Sequence, residues 1–108
     1  MLHARLNVHR LHLDGAELPL RHATLVAVAR AESRDVDWEV VADRVHDGSI
    51  EMGRHHLDML CITGADPEGH LVLGEFDGHA VVVRVVDRTV VFRGDGPLAG
   101  LTADHLLG

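Results

Sequence analysis

Lysine, tyrosine and glutamine are missing from this chain, cysteine occurs once, and only three side chains are aromatic. With Cys61 alone, no disulfide can form within the chain, and a reducing, cytoplasmic setting is expected. Three aromatic residues leave little material for stacking bases or sugars. Basic charge is also short: ten Arg stand against seventeen Asp and Glu, for a net charge of −7 that repels phosphate backbones. Nucleic acid is therefore not an expected partner. No apolar run reaches the roughly 18 residues of a membrane-spanning helix. Residues 1–10 alternate polar and apolar instead of building a signal-peptide core, so no membrane association is expected.

The short signatures of chemistry are missing too. Ten histidines include no His-x-His, no His-Glu-x-x-His and, with one cysteine, no Cys-x-x-Cys. Ser33 and Ser49 lack a Gly-x-Ser-x-Gly elbow. Gly-Asp-Gly-Pro at 94–97 leads into no lysine-bearing helix that would cradle a phosphate. No catalytic residue and no cofactor are assigned from these absences. Arginine as the sole long basic residue, with heavy use of Val, Leu, Ala, Gly and Asp, marks a GC-rich, bacterial coding sequence and carries no function.

What the chain has is strand pattern. Leu2, Ala4, Leu6 and Val8 alternate and then give way to Leu11 and Leu13, a change of parity that implies a β-bulge near His9 and Arg10. Asp14-Gly15 marks a turn, and Leu18-Pro19-Leu20 an edge or entry segment. Residues 22–30 and 36–45 read as two strands joined by a loop at 31–35, with the small side chains of the first packing against Trp38. Residues 46–55 read as loop, and Thr102 can cap one helical turn over 102–107 with Leu106 and Leu107 tucked inward. The expected fold is all-β, an antiparallel small barrel or sandwich of about seven strands. Its connections should be largely up-and-down, in one domain over 1–108.

Residues 56–94 read as four short strands, with turns at 64–69, Asp77-Gly78 and Asp87-Arg88. Counting outward from the turns pairs Phe76 with His79, Val85 with Val90, Cys61 with Val72 and Leu57 with Phe76. One face then carries Leu57, Met59, Cys61, Val72, Phe76, Val81, Val83, Val85, Val90 and Phe92, and should be core, with Cys61 a buried hydrophobe. The other carries Leu60, Ile62, Leu71, Leu73, Val82, Val86 and Val91, too apolar for a plain solvated face.

One polar constellation stands at the end of that second face. His56 and Asp58 lie two apart on a strand, and the register places Glu75 opposite Asp58, a set of one nitrogen and two oxygens that suits a divalent metal. The apolar second face weighs more in the expectation. It favours a noncatalytic, self-associating interaction module, a homodimer through Leu60, Ile62, Leu71, Leu73, Val82, Val86 and Val91. A small-molecule-binding β-barrel is the alternative, and a metal-dependent enzyme using His56, Asp58 and Glu75 the second alternative. An enzyme is thus the less favoured expectation.

Overall fold

A strand with one apolar face must bury that face against another layer, and a sheet can supply the layer by curling onto itself. The computed structural model describes residues 1–30 and 36–107. Among them lie seven strands: β1 (Leu2–Leu13), β2 (Ala16–Glu17), β3 (Leu20–Ala29), β4 (Val36–Arg44), β5 (Gly53–Ala65), β6 (Leu71–Val86) and β7 (Thr89–Gly94). They run in the order β1-β3-β4-β7-β6-β5, and β5 returns to pair with β1, closing a six-stranded antiparallel barrel. β2 is an extra two-residue strand on the edge of β1, and a short 3-10 turn at Ala103–His105 follows the last strand. The all-β barrel expected from alternation and turn spacing is what forms. The loop expected at 31–35, Ser33 included, lies outside the described residues.

Closure depends on β1 serving two neighbours. Leu2 to Asn7 pair with β3, Asn7 to Leu13 pair with β5, and the register shifts between Val8 and Arg10. This is the bulge that the change of parity implied, and it lets Ala4, Val8 and Leu11 all point inward. Strands adjacent in sequence form hairpins at β3–β4, β5–β6 and β6–β7. The connection over 45–52 instead carries the chain past its neighbour, so that β5 lies beside β1 and β7 beside β4.

The barrel is too narrow to stay hollow and is filled by side chains. Leu11, Leu25, Val40, Leu57, Cys61, Val90 and Phe92 are fully buried there. Ala27 pairs with Trp38, and the small side chains of β3 make the room that the indole needs. Trp38 Nε1 donates to the Gly96 carbonyl at 3.0 Å. Desolvation pushes the Cys61 thiol up to about 12, which makes it a buried hydrophobe, as expected, and not a nucleophile. Core side chains occupy the interior, and the groove beside Asp58 and Asp77 reaches inward as far as Met59 and Phe76.

Asp77-Gly78 is not a turn. β6 runs through it without a break, and Gly78 pairs with Leu57. Glycine stands there because a Cβ would come within 2.7 Å of the Pro97 carbonyl oxygen and 2.9 Å of Trp38. Close approach, not turning, requires it. Removing the turn inverts the inward set of β6 as far as the bulge at Val83: Ala80 and Val82 are buried, whereas Val83 is exposed and Val81 half-buried. Beyond the bulge Val85 pairs with the buried Val90 and keeps its expected side, but lies exposed near the strand end. The positive-φ Asp-Gly hairpin belongs to Asp14 (φ 51°) and Gly15 (φ 86°), between Leu13 and its partner Ala16.

The registers shift accordingly. Val85–Val90 stands as counted, Arg84 lies opposite Val91, and a bulge at Val83 then places Phe92 opposite Val82. Between β5 and β6, Cys61 faces Gly74 and Met59 faces Phe76, two residues from the symmetric count, with another irregularity between Ile62 and Gly64. A shift of two preserves parity, so Leu57, Met59, Cys61 and Phe76 remain core while Val72, near the strand end, is exposed. After β7 the chain crosses the barrel. Ala99 exchanges two backbone hydrogen bonds with Asp77, and Leu107 two with His3. Leu98 is buried and Leu106 packs on the core, but the Leu107 side chain points outward.

Candidate metal centre

Because Leu57 and Met59 point inward on β5, His56, Asp58 and Leu60 must point outward, and on β6 Phe76 and Gly78 likewise turn Glu75, Asp77 and His79 outward. The bulged β1 adds Arg10 and His12. Pairing arranges these residues as a grid across three strands: His56 beside His79, then His12-Asp58-Asp77, then Arg10-Leu60-Glu75. Two aspartates face each other in the middle row, and cross-strand carboxylates repel unless a cation lies between them.

In the structure the His56 ring reaches both aspartates. Its Nε2 lies 3.1 Å from Asp77 Oδ2 and its Nδ1 3.4 Å from Asp58 Oδ2. The ring also packs edge-on against His79, with centroids 5.1 Å apart. One nitrogen of His56 and one oxygen from each aspartate all lie within 4.8 Å of one another, a spacing that a single cation can satisfy. The side chains are partly exposed, at 34% for His56, 53% for Asp58 and 49% for Asp77, so an ion reaches them from solvent. Beside them runs a groove of about 450 Å³ lined in part by Arg10, His12, Asp58, Leu60, Glu75 and Asp77.

Asp14 holds this end of β5 in place. Its Oδ1 accepts the His56 amide at 2.8 Å, its own amide donates to the His56 carbonyl at 2.9 Å, and its Oδ2 accepts from His55 Nδ1 at 2.6 Å. His55 Nε2 meets the Glu51 carbonyl at 2.7 Å. A carboxylate and a carbonyl both require donors, so the ring is an imidazolium. The hydrogen bond to Asp14 first, and that to Glu51 second, raise the pKa of His55, while the hydrogen bonds from His55 and from the His56 amide lower that of Asp14.

Of the three expected metal residues, His56 and Asp58 come together and Glu75 does not join them. Asp77 takes that position, because the true register places it opposite Asp58 and moves Glu75 one row on, opposite Leu60. Asp77, in the cluster, and Asp14, which ties down its strand, carry no such signal in the sequence, where each precedes a glycine and reads as a turn residue. Val82 leaves the expected outer set, since it is buried.

A second group, Asp66, Glu68 and His70, also gathers within 4.8 Å, in the connection between β5 and β6. There Asp66 Oδ1 accepts the amides of Glu68 at 3.0 Å and His70 at 2.8 Å, so the carboxylate already closes its own turn. These two compact groups overturn the expectation of a noncatalytic interaction module and of an enzyme as the less favoured case. They favour metal binding and the chemistry that a bound metal supplies. The fold and site define a small antiparallel barrel with a ligand cluster on its outer wall. No family model, curated protein or solved structure matches the chain, so function is argued from this geometry.

Proposed function

We propose that the protein binds a divalent metal ion through His56, Asp58 and Asp77 and uses it as a Lewis acid on a substrate held in the adjoining groove. The observation that carries the reading is the convergence of one imidazole and two carboxylates, from two paired strands, to within 4.8 Å. A divalent ion held by these three residues would supply Lewis-acid chemistry to a substrate in the groove. Glu75, which lines the same groove outside the ligand set, supports the reading as the group that would accept a proton there. The reaction class that fits is metal-assisted hydrolysis.

Elemental analysis of protein purified without a histidine tag tests this reading. Stoichiometric metal is expected in the wild type, lost in Asp58→Ala and Asp77→Ala and retained in Glu75→Ala, with metal-dependent turnover of a chromogenic ester falling in all three. Wild-type protein that takes up no divalent metal ends the proposal.

We also propose that the barrel pairs with a second copy of itself in a reducing, cytoplasmic setting. Exposed Leu71, Leu73 and Val86, at 59%, 42% and 47%, support the first part, with Leu60, Ile62 and Val91 partly exposed on the same outer surface. The free, buried Cys61 supports the second.

A further inference from the structure

We propose that the C-terminal segment 95–107 is a positioning strap for the metal centre: through Ala99 and Gly100 it holds Asp77 in its ligand position, so that strap docking and ion binding are coupled. The inference rests on the metal-binding reading above and adds to it the residues that hold one ligand in place. Pairing of β6 with β7 stops at Ala80. Among the described residues, the backbone bonds found on that side of β6 over 75–79 all come from the strap.

The strap follows β6 along this whole stretch. The Asp95 amide donates to the His79 carbonyl at 2.8 Å, and Pro97 closes on Gly78, where a Cβ would come within 2.7 Å of the Pro97 carbonyl oxygen. Ala99 donates to the Asp77 carbonyl at 2.7 Å and accepts from the Asp77 amide at 3.1 Å. His105 packs edge-on against Phe76, with ring centroids 5.3 Å apart. Gly100, at φ 96°, lies so close to the Glu75 carbonyl oxygen that any Cβ would collide with it. Buried Leu98 and the Trp38 bond to the Gly96 carbonyl at 3.0 Å anchor the strap between these points.

At Asp77 the backbone is held by the strap and not by β5. In an antiparallel ladder a residue directs its N–H and its C=O to the same neighbour, and both of these groups of Asp77 go to Ala99. Asp58 and Asp77 are therefore a non-hydrogen-bonded pair, the kind whose Cα atoms stand closest, at about 4.5 Å. That spacing brings the two carboxylates together for one ion, yet leaves β5 without a hydrogen bond at Asp77 itself. With the strap lifted, repulsion between the carboxylates is free to drive Asp77 away from Asp58. By linkage, strap docking and ion binding then favour each other by the same factor.

Two measurements test the coupling, with Zn²⁺ as the titrant and Co²⁺ as the spectroscopic probe. Gly100→Ala sets a methyl group against the Glu75 carbonyl and should push the strap off β6. Its Zn²⁺ affinity should fall about 10–100-fold, the usual loss when an outer support of a metal site is removed, and the visible bands of its Co²⁺ form should shift. Gly53→Ala, also at positive φ (112°) but with nothing within 4 Å of its Cβ, should keep wild-type affinity and bands. A role of Gly100 confined to stability would lower the urea midpoint and leave the bands in place. In the wild type, adding Zn²⁺ should slow amide hydrogen exchange at Asp77 and Ala99 more than at Val45, whose amide bonds the distant Pro19 carbonyl. A Gly100→Ala protein with wild-type circular dichroism, Zn²⁺ affinity and Co²⁺ bands overturns the strap's role and leaves the three-residue centre standing. Where that variant fails to fold, wild-type exchange at Asp77 and Ala99 that slows no more than at Val45 overturns it. No Zn²⁺ binding by the wild type overturns both proposals.

Discussion

Asp14 and His55 show how much one pair of side chains can organise. The carboxylate bonds the His55 ring with one oxygen and the His56 amide with the other, and so ties the first hairpin turn to the start of β5. Its contribution to stability depends on pH in a direction that the shifts define. The lowered pKa of Asp14 favours the fold above the usual carboxylate value of about 4, and this is lost as pH falls through the folded-state value. The raised pKa of His55 favours the fold fully below about 6.5, and this is lost as pH rises through its folded-state value. The pair should therefore stabilise most between about pH 4 and 6.5. Urea unfolding across pH should show the gap between wild type and Asp14→Ala widest in that window and narrower on either side. A gap independent of pH would refute the assignment.

Among the elements, β6 and β7 are held by what passes beneath them. Trp38 on β4 lies so close to Gly94 that a Cβ there would clash with the indole, and Gly78 faces the same ring across β6. Alanine at Gly94 must displace a buried aromatic ring that also donates to the Gly96 carbonyl. A cost of about 3 kcal/mol is expected for Gly94→Ala, the upper end for overpacking, read as a lower denaturant midpoint with unchanged m-value. Alanine at Gly48, where a Cβ meets nothing within 4 Å, is the control and should fall within about 0.5 kcal/mol of wild type. The same two close approaches explain why the element boundaries were only partly legible. Alternation identified β1, β3, β4, β5 and β7 and placed Leu57, Met59, Cys61, Val90 and Phe92 inward. Glycine has two uses, turning and making room, and at Asp77-Gly78 the sequence pattern favours the first while the packing of Trp38 and Pro97 requires the second.

For the whole molecule, closure decides what kind of contact with a second copy is available. A closed barrel has no long open sheet edge, and the tail covers part of what remains by pairing with Asp77 and His3. Association must then proceed through side-chain faces and not by strand addition. Light scattering should find a dimer that Leu73→Glu splits while the circular dichroism stays β-type. A monomer at high micromolar concentration in the wild type would remove the self-association proposal. Val83→Glu, at an exposed position outside the proposed contact set, serves as the control for added charge.

The sequence by itself determined the all-β class, most strand limits, the bulge in β1 and the inward parity of β5 and β7, because alternation, turn chemistry and proline placement act over a few residues. It also placed His56 and Asp58 on one outer face. Only the tertiary structure decided which strands are neighbours, that β5 closes onto β1, and that β6 continues through Gly78. Those choices set Asp77, the third member of the cluster, opposite Asp58. The physical reason is that pairing between distant strands is chosen by how the barrel fills, with Trp38 and the tail deciding where the backbone can pass. A ligand set split between two strands leaves no short motif in the chain.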